Sequence, residues 1–144
     1  MSNDSKALII QVAEAVVAEI TASADVLPVA VKAELSLVPN LELKDLFTLK
    51  AMVCPRSRKS TIISRNCSDK TLEIDIAVMK KARESEIPAL LALVEALEAV
   101  FEGKKLTAMP DYRCVDVANE PVYVPEHLRQ RQQFTSILTL TFKA

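Results

Sequence analysis

The chain has 144 residues and a mass of 15.9 kDa, enough for one domain, taken as residues 1–144, whose core removes about two thirds of the unfolded surface from water. Half of the residues are apolar and 26% are charged, and 18 basic against 19 acidic residues leave a formal net charge of −1; this excludes a disordered tail and a global pull toward nucleic acid or an anionic membrane. The single glycine, Gly103, excludes phosphate-cradling and dinucleotide loops, and with only His127 and no tryptophan there is little material for general-base or metal chemistry, so no metabolic enzyme is expected.

Met1 to Ala7 is polar and includes Asp4, and Gln11 and Glu14 interrupt the apolar stretch behind it. Neither a signal peptide nor a spanning helix is read there, so the chain is expected to stay in the cytosol in which it is made. From Ser5 to Ala22 the residues Leu8, Ile9, Val12, Val16 and Ile20 recur against Gln11, Glu14 and Thr21, which predicts a helix with a wide buried face. The period then changes to two over Leu27, Val29, Val31, Ala33, Leu35 and Leu37, predicting a strand that ends at a Pro39-Asn40 turn. Phe47, Leu49, Ala51 and Val53 continue the alternation against Thr48, Lys50 and Met52, and Pro55 is expected to stop this second strand.

Arg56, Arg58, Lys59, Arg65 and Lys70 lie among serines with Asp69 as the one local acid, so Arg56 to Lys70 reads as a long basic loop. Leu72, Ile74, Ile76 and Val78 then alternate with Thr71, Glu73, Asp75 and Ala77, a third strand that is expected to pair antiparallel with the second. Ser85 as N-cap and Pro88 in the first turn start a second helix. Its Leu90, Leu91, Val94, Leu97, Val100 and Phe101 lie opposite Glu95, Glu98 and Glu102. Gly103 ends it in a left-handed cap, with Lys104 and Lys105 complementing the dipole. A fourth strand is predicted over Tyr112 to Ala118, an irregular polar segment from Pro121 to Gln133, and a fifth strand over Phe134 to Phe142. The order α-β-β-β-α-β-β predicts an α+β fold, an antiparallel or mixed sheet of about five strands with two helices packed on one face. Its other face is expected to display Thr135, Thr139 and Thr141 with Lys50, Glu73 and Asp75.

Cys54, Cys67 and Cys114 make an odd count that reads as reduced thiols. With His127 they contain the elements of a zinc site, but the spacings Cys54 to Cys67 and Cys114 to His127, thirteen positions each, lack the close ligand pairs of a knuckle. A Cys/His nucleophile using Cys114 or Cys67 is also set aside, since no oriented base or oxyanion pocket can be read. No catalytic residue, cofactor site or metal site is therefore assigned. Glu95, Glu98 and Glu102 read as a solvated helix face. The candidate binding residues are the cations Arg56, Arg58, Lys59 and Arg65, which read either as a solubilising hairpin tip or as a local concentration of potential for a protein partner, less for phosphate, and which lack interleaved aromatics for base stacking.

Three stretches carry a resemblance: Leu72-Glu-Ile-Asp-Ile-Ala-Val-Met-Lys-Lys81, Asn119-Glu-Pro-Val-Tyr123 and Phe134-Thr-Ser-Ile-Leu-Thr-Leu-Thr-Phe142. With the order of elements, they resemble the small tail-terminator and head-to-tail joining proteins of long-tailed bacteriophages. The resemblance implies a structural, non-enzymatic virion protein with helices on one face of a sheet, made in the host bacterial cytoplasm. It further implies a ring, commonly hexameric, that caps the completed tail tube and meets the tube protein, the head-completion or connector protein and, in passing, DNA, with no membrane partner. The family's long hairpin loop corresponds to Pro55 to Lys70. From a different class, the residues also fit a small cytosolic binding module that uses the basic loop on an anionic partner such as nucleic acid.

Overall fold

The computed structural model describes residues 7–37 and 49–144. It is an α+β fold in which helices α1 (Leu8–Ala22) and α2 (Ile87–Phe101) pack on one side of a five-stranded mixed sheet. The strands are β1 (Lys32–Leu35), β2 (Lys50–Ser64), β3 (Cys67–Lys81), β4 (Arg113–Asn119) and β5 (Gln133–Lys143), in the spatial order β1-β2-β3-β5-β4. Among the described residues, β1 and β2 are the one pair of neighbouring strands that is parallel. A short helix α3 (Pro125–Arg131) precedes β5. Among the described residues, no helix is long and apolar enough to cross a membrane.

Period-two sequence makes the inner face of the sheet. Ala51 and Val53 of β2, Leu72, Ile74, Ile76 and Val78 of β3, and Leu138, Leu140 and Phe142 of β5 are all fully buried. They form one cluster with Val12 and Val16 of α1 and with Leu93, Leu97 and Phe101 of α2. Each of the larger side chains, Ala51 excepted, contributes ~1.5–3 kcal/mol by leaving water, so the helices are held mainly by this shared layer. The Glu19 carboxylate of α1 accepts bonds from the Thr107 N–H and hydroxyl, both at 3.1 Å, tying the connection after α2 to the first helix.

The first predicted strand is shorter than its alternation. Ala24–Val26 curls into a 3-10 turn and Pro28 offers no N–H, so Leu27, Val29 and Val31 reach the core without joining the ladder. The Pro39-Asn40 turn and the Phe47-Thr48 start of the second strand lie outside the described residues. Ser85 is not the N-cap of α2: it lies within a 3-10 turn, Glu84–Glu86, and Glu86 occupies the cap position. That turn is fixed by the Glu86 carboxylate, which accepts the Arg83 N–H at 3.2 Å and the Lys80 ammonium at 2.9 Å. The Lys80 hydrogen bond, followed by that of the Arg83 backbone, holds the Glu86 carboxyl below its ordinary value.

Gly103 has φ +70°, the left-handed residue the sequence predicts after α2. The segment read as irregular between Pro121 and Gln133 contains α3, with Pro125 in its first turn and left-handed Gln132 (φ 52°) behind it. The outer face of the sheet also departs from a uniformly polar display. Met52 and Met79 are buried there with Ala77 against them, and Thr135 is buried, its hydroxyl held by Gln133 Nε2 at 2.9 Å and by His127 Nδ1 of α3 at 3.1 Å.

Candidate surface on the β2–β3 arm

The segment expected to be a basic loop is regular β-structure. β2 runs through Pro55 to Ser64, and a two-residue turn at Arg65 and Asn66 returns the chain into β3. Pro55 does not stop β2 because of where β1 ends. Val53 turns its carbonyl to the Ser36 N–H at 2.8 Å, and Pro55, two residues on, turns its nitrogen to the same side, beyond the last residue of β1. A missing donor costs no ladder bond at such an edge.

Beyond Pro55 the strand carries a bulge. Pro55 lies opposite Ile74 and Ser57 opposite Glu73, so Arg56 is the extra residue. The helix side of β2 is therefore carried by odd-numbered residues up to Pro55 and by even-numbered ones from Arg58, which sits opposite Leu72, to Ile62, beyond which a second shift at Ile63 sets Ser64 opposite Cys67. Lys59 lies opposite Thr71 on the outer side, and Arg65 is in the tip turn. Thr71 is also where β5 ends its pairing, opposite Lys143. Past that point, among the described residues, β2 and β3 pair only with each other and form a projecting arm, crossed at its root by the Lys143–Asp69 ion pair at 3.5 Å.

The four predicted binding cations are thus separated in role. Arg56 lies back on the sheet, its Nη1 3.3 Å from Asp75 Oδ2 and its Nε 4.0 Å from Glu73 Oε2. The Ser57 hydroxyl donates to Glu73 at 2.7 Å and the Thr139 hydroxyl to Asp75 at 2.7 Å, closing a polar network on the outer face. Arg58, Lys59 and Arg65 are exposed and, with Lys70, have no ion-pair partner among the described residues. Arg58 shares a shallow cleft with Ser60, Lys70 and Leu8 at the start of α1. The arm also exposes Ile62 (80%) and Ile63 (67%), a pair that in sequence reads only as a short apolar break without a sustained period. Their signal was present as two adjacent β-branched residues in a polar segment, a strand-forming pair with no core to enter.

The thiols and the histidine are dispersed. Cys67 is exposed on the arm, Cys54 is half-buried on the outer face, and Cys114 is enclosed opposite Phe142. Burial pushes the Cys114 thiol up to about 11, and burial followed by the Asp75 charge raises that of Cys54. His127 bonds Thr135, seven residues from Phe142 along β5, or about 23 Å of strand. His127 is therefore not brought to Cys114 or Cys67. Among the described residues, no three His, Cys, Asp or Glu side chains cluster as a metal-binding group. A further open groove, about 450 Å³, lies between α3 and the start of α2, lined by Ile87, Pro88, Tyr123, Pro125 and Leu128, with Glu84 and Arg129 as its charged residues.

The three stretches quoted above as a resemblance are neighbours in space. β3 pairs with β5 from Thr71 opposite Lys143 to Lys81 opposite Gln133. The Asn119 side chain donates to Ser136 Oγ at 2.9 Å and to the Ile137 carbonyl at 2.8 Å, and Ile137 N–H donates to the Pro121 carbonyl at 3.2 Å. No protein-family model matches the chain, and no curated protein matches it at a significant level.

Proposed function

We propose that the chain is a structural subunit of a bacteriophage virion, a tail terminator or head-to-tail joining protein that assembles as a ring, with six copies as the expected number. The observation that carries the reading is the arm. A two-stranded ribbon that leaves its sheet with cations and isoleucines exposed is built for contact with another macromolecule. Support also comes from the continuity of the three family-like stretches across β3, β5 and the Asn119 corner. In this reading the partners are other copies of the chain, the tail tube protein and the head-completion or connector protein, and the site of action is the virion's head-tail interface.

Arg58, Lys59 and Arg65 meet an acidic protein surface rather than the DNA that passes through the ring. Tight phosphate contact would oppose that passage, and the arm has no aromatic residue for stacking. The exposed cations also support a second reading, a binding module for an anionic partner such as nucleic acid.

Deletion of the gene from its phage tests the proposal. A ring that caps a tube stops subunit addition at the open end, so particles lacking it should show filled heads, unjoined tails and tubes of irregular length in electron micrographs. Tails of normal length attached to heads would refute the terminator reading. Binding of duplex DNA by the purified protein, weakening steeply with salt in fluorescence anisotropy, would favour the nucleic-acid module.

A further inference from the structure

Beyond the Ser60–Lys70 pair, which the start of α1 still borders at Leu8, the arm has neither a third strand nor a covering helix among the described residues, and a two-stranded ribbon alone is marginal in water. Ile62 and Ile63 are the two most exposed large apolar side chains among the described residues. Around them lie Arg58, Lys59, Arg65 and Lys70, while the one local acid, Asp69, is engaged by Lys143. A surface that accepts this ribbon must combine negative charge with shallow apolar relief.

The chain carries such a surface on α2. That helix contains no basic residue, and its solvent side shows Ala89, Ala92, Glu95 and Ala99, with half-buried Ala96 and Glu98 beside them. Glu102 extends the acidic row, and none of the three glutamates has an ion-pair partner among the described residues. The alanines let another backbone approach closely, and the glutamates match the arm in sign.

We propose that the arm docks on the α2 face of a second copy of this chain, Ile62 and Ile63 on the alanine surface and the arm's cations beside Glu95, Glu98 and Glu102. The contact joins two different patches, so it propagates head to tail and closes into a ring when the rotation permits. It rests on the ring reading above and names the acidic partner of the arm within it. Charge complementarity supplies register and suppresses arm-to-arm pairing, while the isoleucines supply the apolar part of the contact.

Cys67, exposed on the arm, provides the test. In full-length protein carrying Cys54→Ser and Ala92→Cys, mild oxidation should link Cys67 of one chain to the introduced thiol of another. The products should be covalent multimers on non-reducing gels, with the link identified by peptide mass spectrometry. Arg58→Glu with Lys59→Glu should lower the yield at least about tenfold without moving the thermal melt, and adding Glu95→Lys with Glu98→Lys to the same chain should restore it. Links confined to Cys67 with Cys67, or a yield indifferent to charge reversal, overturn the docking. Multimers that persist in sedimentation without the arm-to-α2 link overturn it and leave the ring reading standing. A chain that neither links nor associates at the highest workable concentration also overturns it, and the ring reading is then decided by the deletion phenotype.

Discussion

Gly103 donates its N–H to the Cys114 carbonyl at 3.1 Å, and the Cys114 N–H returns a bond to the Lys104 carbonyl at 2.9 Å. This reciprocal pair turns the end of α2 back onto the edge strand β4 and requires a left-handed residue at the corner. An added Cβ would meet nothing within 4 Å, so the cost of substitution is conformational rather than steric. Gly103→Val should lose ~1–2 kcal/mol, and Gly103→Asn less, because asparagine tolerates left-handed φ. Urea unfolding of the two variants checks this; equal losses would contradict it.

Leu97 is fully buried between α2 and the sheet. Leu97→Ala should therefore cost ~2–5 kcal/mol, a large share of the stability of a domain this size. A melting temperature unchanged from wild type would mean that α2 does not seal the core.

The enclosed Cys114 thiol links stability to alkaline pH. Its folded value of about 11 lies above the ordinary 9.0, so the unfolded chain releases this proton first. The contribution is full below pH 9 and is lost as pH rises through about 11, up to about 3 kcal/mol. Cys114→Ala should flatten that part of the stability-versus-pH curve. In native protein at pH 8, a thiol reagent should modify exposed Cys67 quickly and leave Cys114 intact until unfolding.

Reversal of the arm's charges should separate assembly from folding. Arg58→Glu, Lys59→Glu and Arg65→Glu together should keep the circular dichroism spectrum and the melt while producing unjoined heads and tails; normal infectious particles would make the arm dispensable. Arg56 belongs with the sheet instead. Arg56→Ala should cost up to about 1 kcal/mol, since its partners Asp75 and Glu73 are partly exposed.

Elements with one face in the core are legible in the sequence itself. The periods of Leu90, Val94, Leu97 and Phe101 and of Leu72, Ile74, Ile76 and Val78 are imposed by burial, and both elements stand where those residues place them. The arm was hidden because no burial imposes a period on it: both of its faces meet solvent near the tip, and the extra Arg56 breaks the phase of β2 where the apolar residues run out. α3 was hidden by its length and by Pro121 and Pro125, which read as breaks although Pro125 begins the helix. The parallel pairing of β1 with β2 has no local signature, and of the candidate site the charge was legible while its division between sheet and arm depends on the register.

The bulge at Arg56 is a pivot. β3 dictates which side each arm residue takes, so loss of that single codon would leave Arg58 opposite Leu72 and Lys59 opposite Thr71 while removing the local bend and extra twist. The bearing of the arm and the chemistry it carries are thus set by different residues. A lineage can swing the arm toward a differently shaped neighbour without altering one side chain at its tip, or rewrite the tip without disturbing its aim.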